Sequence, residues 1–275
     1  MNEKGILMMK KPMNIAKKIY VALIFIFLYA PIATLIVLSF NASKTRAKWG
    51  GFTVNWYISL MQDETILDAL GTTLLIAFLS AFIASIIGTI ACIAMSGMKR
   101  RNRAILMGIT NIPMLNADIV TGISLMLLFI SLGLKFGFGT ILLSHITFNI
   151  PYVILSVLPR MKQLNPSVYE AALDLGASPV TAFFKVTLPD LMPGILSGFL
   201  MAFTMSLDDF IITHFTKGSG INTLSTKIYT EVRKGIKPEM YALSTIIFVT
   251  VLVLLFLVNI APEKAQKEKE AVRKQ

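Results

Sequence analysis

Six long apolar runs, separated by more polar segments, constrain this chain more than any other feature of its sequence. A helix needs roughly 20 apolar residues to cross the roughly 30 Å hydrocarbon core of a bilayer. Each run is at least about that long. The runs span approximately residues 19–40, 67–97, 104–132, 140–160, 191–215 and 241–260. The pattern predicts an all-α, polytopic membrane protein with six transmembrane helices.

The composition agrees with a membrane protein and excludes several other classes. Of the 275 residues, 55% are hydrophobic and only 15% are charged, which is too few charges to cover the surface of a soluble domain. The net charge of +11 would suggest a nucleic-acid binder in a soluble protein, but no RNA- or DNA-binding module accompanies it, so we expect no nucleic-acid partner. The single cysteine, Cys92, lies inside a run, so neither a disulfide framework nor a cysteine metal site is expected.

The distribution of positive charge predicts the orientation of the chain. If the N-terminus is cytoplasmic, 17 of the 26 Lys and Arg residues fall in cytoplasmic segments and nine fall in external ones. Positive charge is concentrated on the cytoplasmic side of membrane proteins, so both termini are expected there. The predicted division is a cytoplasmic N-terminal segment 1–18, a transmembrane domain 19–260 with a cytoplasmic loop 161–190, and a cytoplasmic tail 261–275.

The loop between the fourth and fifth runs contains signals for two short helices. Asn165 can cap a helix whose first residue is Pro166, and Gly176 can end that helix in the left-handed conformation. Ser178 predicts the start of a second short helix, which Pro189 is expected to close. Such helices expose apolar side chains beyond the bilayer, which predicts a protein partner that covers them.

Seven residues of this loop stand at spacings that recur in a known family: Glu170, Ala171, Ala172, Gly176, Val186, Leu188 and Pro189. They resemble the EAA loop of permease subunits in ATP-binding-cassette importers, with Val186 in place of the usual Ile. The resemblance implies that the loop is a coupling helix in a groove of a cytoplasmic ATPase subunit, where Glu170 pairs with a basic residue and Gly176 allows the bend. The alternative is a solvated helix face, on which Glu170 and Asp174 lie one turn apart.

Three carboxylates, those of Asp118, Asp208 and Asp209, lie inside the apolar runs. An ionised Asp near the centre of a membrane helix costs about 2.5–3.5 kcal/mol, and no Lys or Arg within the runs can neutralise these three. Counted along straight helices at about 1.5 Å per residue, Asp118 and Asp208 lie roughly 21–22 Å from the cytoplasmic ends. Neighbouring helical residues point about 100° apart, so Asp208 and Asp209 are not expected to face one cavity equally.

These carboxylates predict a pathway for cations, because acidic groups in a low-dielectric wall attract positive substrates. The alternative is a set of protonated Asp residues that hydrogen-bond between helices. His145 and Asn149 lie one helical turn apart, and we expect them to make helix-packing hydrogen bonds rather than substrate contacts.

The resemblance extends over nearly the whole chain. Shorter matching stretches are Ser206-Leu207-Asp208-Asp209-Phe210, Asn111-Ile112-Pro113 before Asp118, and Thr226-Lys227-Ile228-Tyr229. They look like the permease subunits of spermidine/putrescine importers of the PotC type. The resemblance implies a permease in the bacterial inner membrane, in contact with lipid. Its partners would be a homologous second permease, a cytoplasmic ABC ATPase dimer and an extracytoplasmic substrate-binding protein. It also implies no catalytic residue, metal or cofactor in this chain, because a separate subunit hydrolyses ATP.

The sequence leaves three rival interpretations open. An ion-coupled secondary transporter would use the Asp residues as proton or sodium sites, but it does not account for the EAA loop. A membrane-embedded enzyme would use Asp208 and Asp209 as metal ligands or as acid and base, although no catalytic motif completes such a site. An importer of the same class could also carry another cationic or small solute.

Overall fold

The chain is almost entirely helical where the structure describes it. A computed structural model describes residues 15–44 and 48–253. No strand occurs in these residues, and one isolated antiparallel bridge joins Asn41 to Phe52. The predicted all-α class is confirmed. The helices are α1 (Ile15–Ser39), α2 (Asn55–Gln62), α3 (Glu64–Ser96), α4 (Arg100–Leu115), α5 (Asp118–Ser131), α6 (Phe138–Gln163), α7 (Pro166–Asp174), α8 (Pro179–Ala182), α9 (Leu188–Asp208), α10 (Ile211–Thr216), α11 (Leu224–Lys234) and α12 (Pro238–Val253).

Four helices in the described part of the chain are long and apolar enough to cross a membrane, and a bent pair makes a fifth if it is one span. The four are Lys17–Ser39, Glu64–Ser96, Phe138–Gln163 and Pro179–Asp208. Helix α12 is apolar but shorter, and the sixth predicted run, 241–260, extends past the last described residue. The tail 261–275 and most of segment 1–18 also lie outside the described residues. The count of six spans therefore stays a prediction.

The described residues form two compact units, of which the first contains residues 15–44, 48–62 and 236–249. In this unit Asn41 organises the segment between α1 and α2. Its side-chain oxygen accepts hydrogen bonds from the N–H groups of Ser43 (3.1 Å) and Gly50 (2.8 Å), and its amide donates to the carbonyl of Lys48 (3.0 Å). The Trp56 indole N–H donates to the Asn41 carbonyl at 2.8 Å. One buried amide thus satisfies the N–H groups of Ser43 and Gly50 and the carbonyl of Lys48.

The second unit contains the described residues 63–235 and 250–253, and α3, α6 and α9 form its core. Small side chains let these helices approach closely, as is common where helices pack inside membranes. A methyl group added at Gly88 of α3 would lie 2.7 Å from Cγ1 of Val153 on α6, and one added at Gly198 of α9 would lie 3.1 Å from the Val153 Cα. Val153 is fully buried between the two glycines. The core therefore depends on van der Waals contact at close range.

The third predicted run, 104–132, is not one straight helix. Helices α4 and α5 meet at 104° where Asn116 and Ala117 adopt extended conformations. The depth of roughly 21 Å assigned to Asp118 assumed a straight helix, and that assumption is wrong. Asp118 instead occupies the first position of α5, where the partial positive charge of a helix N-terminus favours a carboxylate.

The helix signals in the loop after α6 are confirmed at three positions. The Asn165 side chain accepts a hydrogen bond from the N–H of Ser167 at 3.1 Å, at the start of α7. Gly176 follows the end of α7 with φ of +88°, a left-handed conformation that side chains resist. The Ser178 hydroxyl accepts from the N–H of Thr181 at 3.2 Å, at the start of α8. The loop is therefore a helix, a glycine bend and a second helix start.

The expectation that Pro189 closes the second helix is wrong. The helix continues from Pro179 to Asp208, with a π-helical turn at Phe183–Thr187 directly before the proline. In a regular α-helix a proline ring meets the carbonyl four residues earlier. The π turn is one residue wider, and here the Leu188 N–H bonds to the Phe183 carbonyl five residues back. The widened turn accommodates Pro189 and carries the loop into the membrane helix.

Candidate functional site

A cavity of about 360 Å³ contains all three carboxylates that the sequence singled out. Asp118 enters it from the start of α5, while Asp208 and Asp209 enter from the end of α9. Aromatic side chains, including Phe148 and Tyr152 of α6, line part of the remaining wall. No Lys or Arg is among the described residues that line the cavity. The site thus combines concentrated negative charge with apolar walls.

The fifth predicted run breaks at the paired carboxylates. Helix α9 ends at Asp208, Asp209 has an extended conformation, and α10 begins at Ile211. The Asp209 carboxylate accepts hydrogen bonds from the N–H groups of Ile212 (3.2 Å) and Thr213 (2.8 Å) and from the Thr213 hydroxyl (2.8 Å). Asp209 therefore caps α10 and satisfies backbone groups that the break in the helix leaves free.

His145 of α6 joins the same carboxylate to a buried polar network. Its Nε2 lies 2.9 Å from the Thr213 hydroxyl oxygen and 3.4 Å from Oδ2 of Asp209, while its Nδ1 hydrogen-bonds to the Ser206 hydroxyl. Because the Thr213 hydroxyl donates to Asp209, its oxygen accepts from Nε2–H of His145. Nε2 therefore carries a hydrogen, and Nδ1 links the ring to the Ser206 hydroxyl.

The network continues from Ser206 across the packed core to α3. The Ser206 and Ser80 hydroxyl oxygens are 3.2 Å apart, and the Asn149 amide donates to Ser80 at 3.2 Å. Ser80, Ser206 and Asn149 are all buried. The expectation that His145 and Asn149 make helix-packing hydrogen bonds is therefore confirmed.

The three carboxylates differ in what they already bind. Asp209 has a side chain only 8% exposed, and its oxygens accept the bonds described above. Asp118 and Asp208 are exposed, and within the described residues neither accepts a hydrogen bond from another residue or forms an ion pair. Asp118, Asp208 and Asp209 line one cavity, so their like charges repel one another. Asp118 and Asp208 therefore have the greater capacity to bind a cation.

The loop after α6 presents a second candidate surface. Helix α7 buries none of its residues, and the side chains of Leu175 and Phe184 are 89% and 59% exposed. The seven family positions of this loop are all accessible to some degree: Glu170, Ala171, Gly176 and Pro189 are exposed, and Ala172, Val186 and Leu188 are partly buried. An exposed apolar surface of this kind is suited to covering by another protein.

Several residues of the site were missed by sequence reasoning. Phe148 and Tyr152, which line the cavity, follow His145 and Asn149 by three residues each, so they mark a neighbouring stripe of the same helix. That spacing could have identified them. Thr213 carried no comparable signal, because its role depends on the break of the helix at Asp209.

Comparison with known proteins places these features in a family. Residues 85–263 match the family described as binding-protein-dependent transport system inner membrane component. The chain is 40% identical over 253 residues to the putrescine transport system permease protein PotI of Escherichia coli (strain K12), covering 89% of this chain and 90% of that protein. It is 39% identical over 236 residues to the spermidine/putrescine transport system permease protein PotC of the same strain, covering 86% of this chain and 89% of that protein.

Solved structures of low sequence similarity share the fold. A chain of a bacterial ABC transporter involved in the import of the acidic polysaccharide alginate matches with a TM-score of 0.71 and 18% identity, over 95% of this chain and 99% of that chain. A chain of the MetNI methionine ABC transporter matches with a TM-score of 0.55 and 17% identity, over 75% of this chain and 95% of that chain. Together with the sequence matches, these likenesses lead to one assignment: the chain belongs to the family of inner-membrane components of binding-protein-dependent transport systems.

Proposed function

We propose that this chain is a transmembrane permease subunit of an ATP-driven importer that moves polyamines such as spermidine and putrescine into the cell. The observation that carries the proposal is the cavity that Asp118, Asp208 and Asp209 line together, with no Lys or Arg among its described lining residues. Carboxylates in a low-dielectric wall attract cations and repel anions. A polyamine carries several ammonium groups on an aliphatic chain, which suits both the charges and the apolar walls.

The choice of a polycation rests on these side chains and on the relatives rather than on the fold. A transporter chain of similar fold belongs to a system that imports an acidic polysaccharide, so the fold by itself does not select the charge of the solute. Two curated relatives at 39–40% identity are named for transport of putrescine or of spermidine and putrescine. Both lines of support favour a cationic amine over an anion.

ATP hydrolysis in this proposal belongs to a separate subunit. The exposed loop from Pro166 to Pro189 would dock on a cytoplasmic ATPase dimer, with Glu170 paired to a basic residue and Gly176 allowing the bend. A homologous permease would complete the pathway, and a substrate-binding protein would deliver the amine on the opposite side. Closure of the ATPase dimer would move the loop and shift the permease pair between inward-open and outward-open states.

The continuous helix from Pro179 to Asp208 supports a mechanical link between the loop and the cavity. It begins in the exposed loop and ends at Asp208, which lines the acidic cavity. A displacement of the loop would therefore act on the carboxylate at the other end of one element. In the proposed orientation both termini, the segment 1–18 and the tail 261–275 lie in the cytoplasm.

The test is ATP-dependent uptake of radiolabelled spermidine and putrescine by proteoliposomes that contain this chain with its partner permease, ATPase and binding protein. Asp208→Asn should reduce uptake at least tenfold. Asp68→Asn is the matched control, because it removes an exposed carboxylate of α3 that does not line the cavity. Uptake of neither amine by the intact transporter would overturn the polyamine assignment. Uptake without the ATPase would overturn the importer class and favour a secondary transporter.

A further inference from the structure

Three aromatic rings form a cluster directly beside the acidic cavity. The ring centroids of Phe210 and Tyr229 are 4.4 Å apart, and the His214 ring lies 5.3 Å from Phe210 and 6.2 Å from Tyr229. Phe210 also lines the cavity that contains Asp208. Phe210 therefore connects the cavity wall to the rings of His214 and Tyr229, which are not among the described lining residues of the cavity.

The cluster is open to a ligand and already holds a positive charge. His214 is exposed, and Tyr229 is 41% exposed. The guanidinium carbon of Arg233, one turn along α11, lies 5.7 Å from the centroid of the Tyr229 ring. A cation within about 6 Å of an aromatic centroid is attracted by the negative face of the ring. The Tyr229 ring thus already contacts one cation, the guanidinium of Arg233.

We propose that Phe210, His214 and Tyr229 form a binding site for an ammonium group of the transported amine, and that Arg233 occupies this site until the amine displaces it. The inference rests on the proposed function, because it needs a solute with more than one ammonium group. One group at the rings leaves another for the carboxylates of Asp118 and Asp208. Such a site would favour diamines and longer amines over monoamines.

The competing explanation is that the rings only pack α11 against α10. Fluorination separates the two explanations, because fluorine withdraws electron density from the face of a ring and changes its shape little. Attraction of a cation weakens with each fluorine. Packing of the Tyr229 ring against Phe210 does not require a negative ring face. It should therefore not weaken progressively as fluorines are added.

The experiment measures equilibrium binding of radiolabelled spermidine to the assembled permease pair and ATPase in lipid nanodiscs, without the binding protein. Position 229 carries Tyr, Phe, or phenylalanine with one, two or three ring fluorines, each in a chain with Arg233→Gln, because fluorination would weaken the contact of Arg233 with the ring as well. In this background we expect the Kd to rise stepwise with fluorination, and Tyr229→Leu to raise it about two- to fivefold, as an exposed cation–π contact predicts. Phe at position 229 should bind nearly as tightly as Tyr.

A second arm tests the role of Arg233. Arg233→Gln should lower the Kd, because the amine no longer competes with the guanidinium, and this gain should disappear when Tyr229→Leu is also present. Lys234→Gln is the matched control for loss of one positive charge on α11, since Lys234 contacts Glu231 and no ring contact of Lys234 is recorded in the described part of the chain. An equal gain in both single variants would indicate simple charge repulsion and overturn the displacement step.

The outcomes also separate this inference from the proposed function. If the complete transporter takes up spermidine but the Kd does not change along the fluorinated series, the ring site is wrong and the proposed function stands. If the complete transporter takes up neither spermidine nor putrescine, the proposed function fails and the ring site fails with it.

Discussion

Asp208 and Asp209 are neighbours in the chain, and we expect the loss of Asp209 to reduce stability and the loss of Asp208 to reduce transport. Asp209→Ala deletes the acceptor for three hydrogen bonds and leaves the N–H groups of Ile212 and Thr213 without a partner at residues that are 3% and 0% exposed. Loss of a helix cap costs about 0.5–2 kcal/mol, and a buried unsatisfied donor costs about 1–3 kcal/mol. Because these terms overlap, the expected loss of stability is roughly 2–4 kcal/mol.

Asp208→Ala should leave stability almost unchanged. Its carboxylate receives no hydrogen bond from another described residue, and it shares a cavity with the like charges of Asp118 and Asp209. A surface change of this kind alters stability by about 0.5 kcal/mol or less. The same variant should nevertheless lose uptake of spermidine, because it removes an accessible carboxylate of the cavity.

The assay heats the assembled transporter in nanodiscs and records the fraction that remains assembled by size-exclusion chromatography. Unfolding of such assemblies is irreversible, so all variants are compared at one heating rate. A loss of 1 kcal/mol corresponds to roughly 2–4 °C for a chain of this size. The thermal stability of Asp209→Asn should fall between those of Asp209→Ala and Asp208→Ala. Its amide oxygen can still accept a hydrogen bond from Thr213, but its NH2 group faces the Ile212 N–H and cannot accept from it.

Two results would refute this reasoning. Equal thermal stability of Asp209→Ala and Asp208→Ala would mean that the cap and its network contribute nothing to the assembly. Normal uptake per assembled transporter by Asp208→Asn would mean that this carboxylate does not contact the solute. The two measurements are independent, since one reads assembly and the other reads transport by the transporters that assemble.

Three further predictions concern other parts of the chain. Gly88→Ala should destabilise the assembly by about 1–3 kcal/mol in the heating assay, because the new methyl lies 2.7 Å from Cγ1 of Val153, and an unchanged transition would contradict the close packing. Glu170→Lys should abolish ATP-driven uptake at unchanged thermal stability, whereas normal uptake would contradict the coupling role. Asn41→Ala should speed amide hydrogen exchange at Gly50, which donates to its side chain, and mass spectrometry would detect no change if that bond were unimportant.

Local sequence signals predicted the structure well wherever the conformation depends on neighbouring residues. Asn165 and Ser178 cap the helices that they were expected to cap, and Gly176 has the left-handed conformation expected of it. The prediction failed at Pro189, because a single proline signals a helix boundary while the π turn before it removes the conflict. A π turn leaves no clear mark in one sequence.

In the candidate site, too, the sequence predicted some features and missed others. The sequence identified Asp118, Asp208 and Asp209 because charged residues are rare and costly in apolar runs. It did not reveal that Asp209 caps a broken helix, or that Phe210 connects the cavity to Tyr229. Both facts depend on where the fifth apolar run breaks. The depth estimate assumed straight helices, so it could not predict them.

Hydrophobic length and charge placement by themselves determined that this chain is a helical membrane protein, since an apolar run of about 20 residues has few stable alternatives. The spacing of the loop residues determined the family. Only the tertiary structure decided which carboxylates remain accessible to a solute, because that depends on the 104° bend before Asp118, on the break at Asp209 and on the side chains that these bring together. Such contacts join residues far apart in sequence, and no local pattern records them.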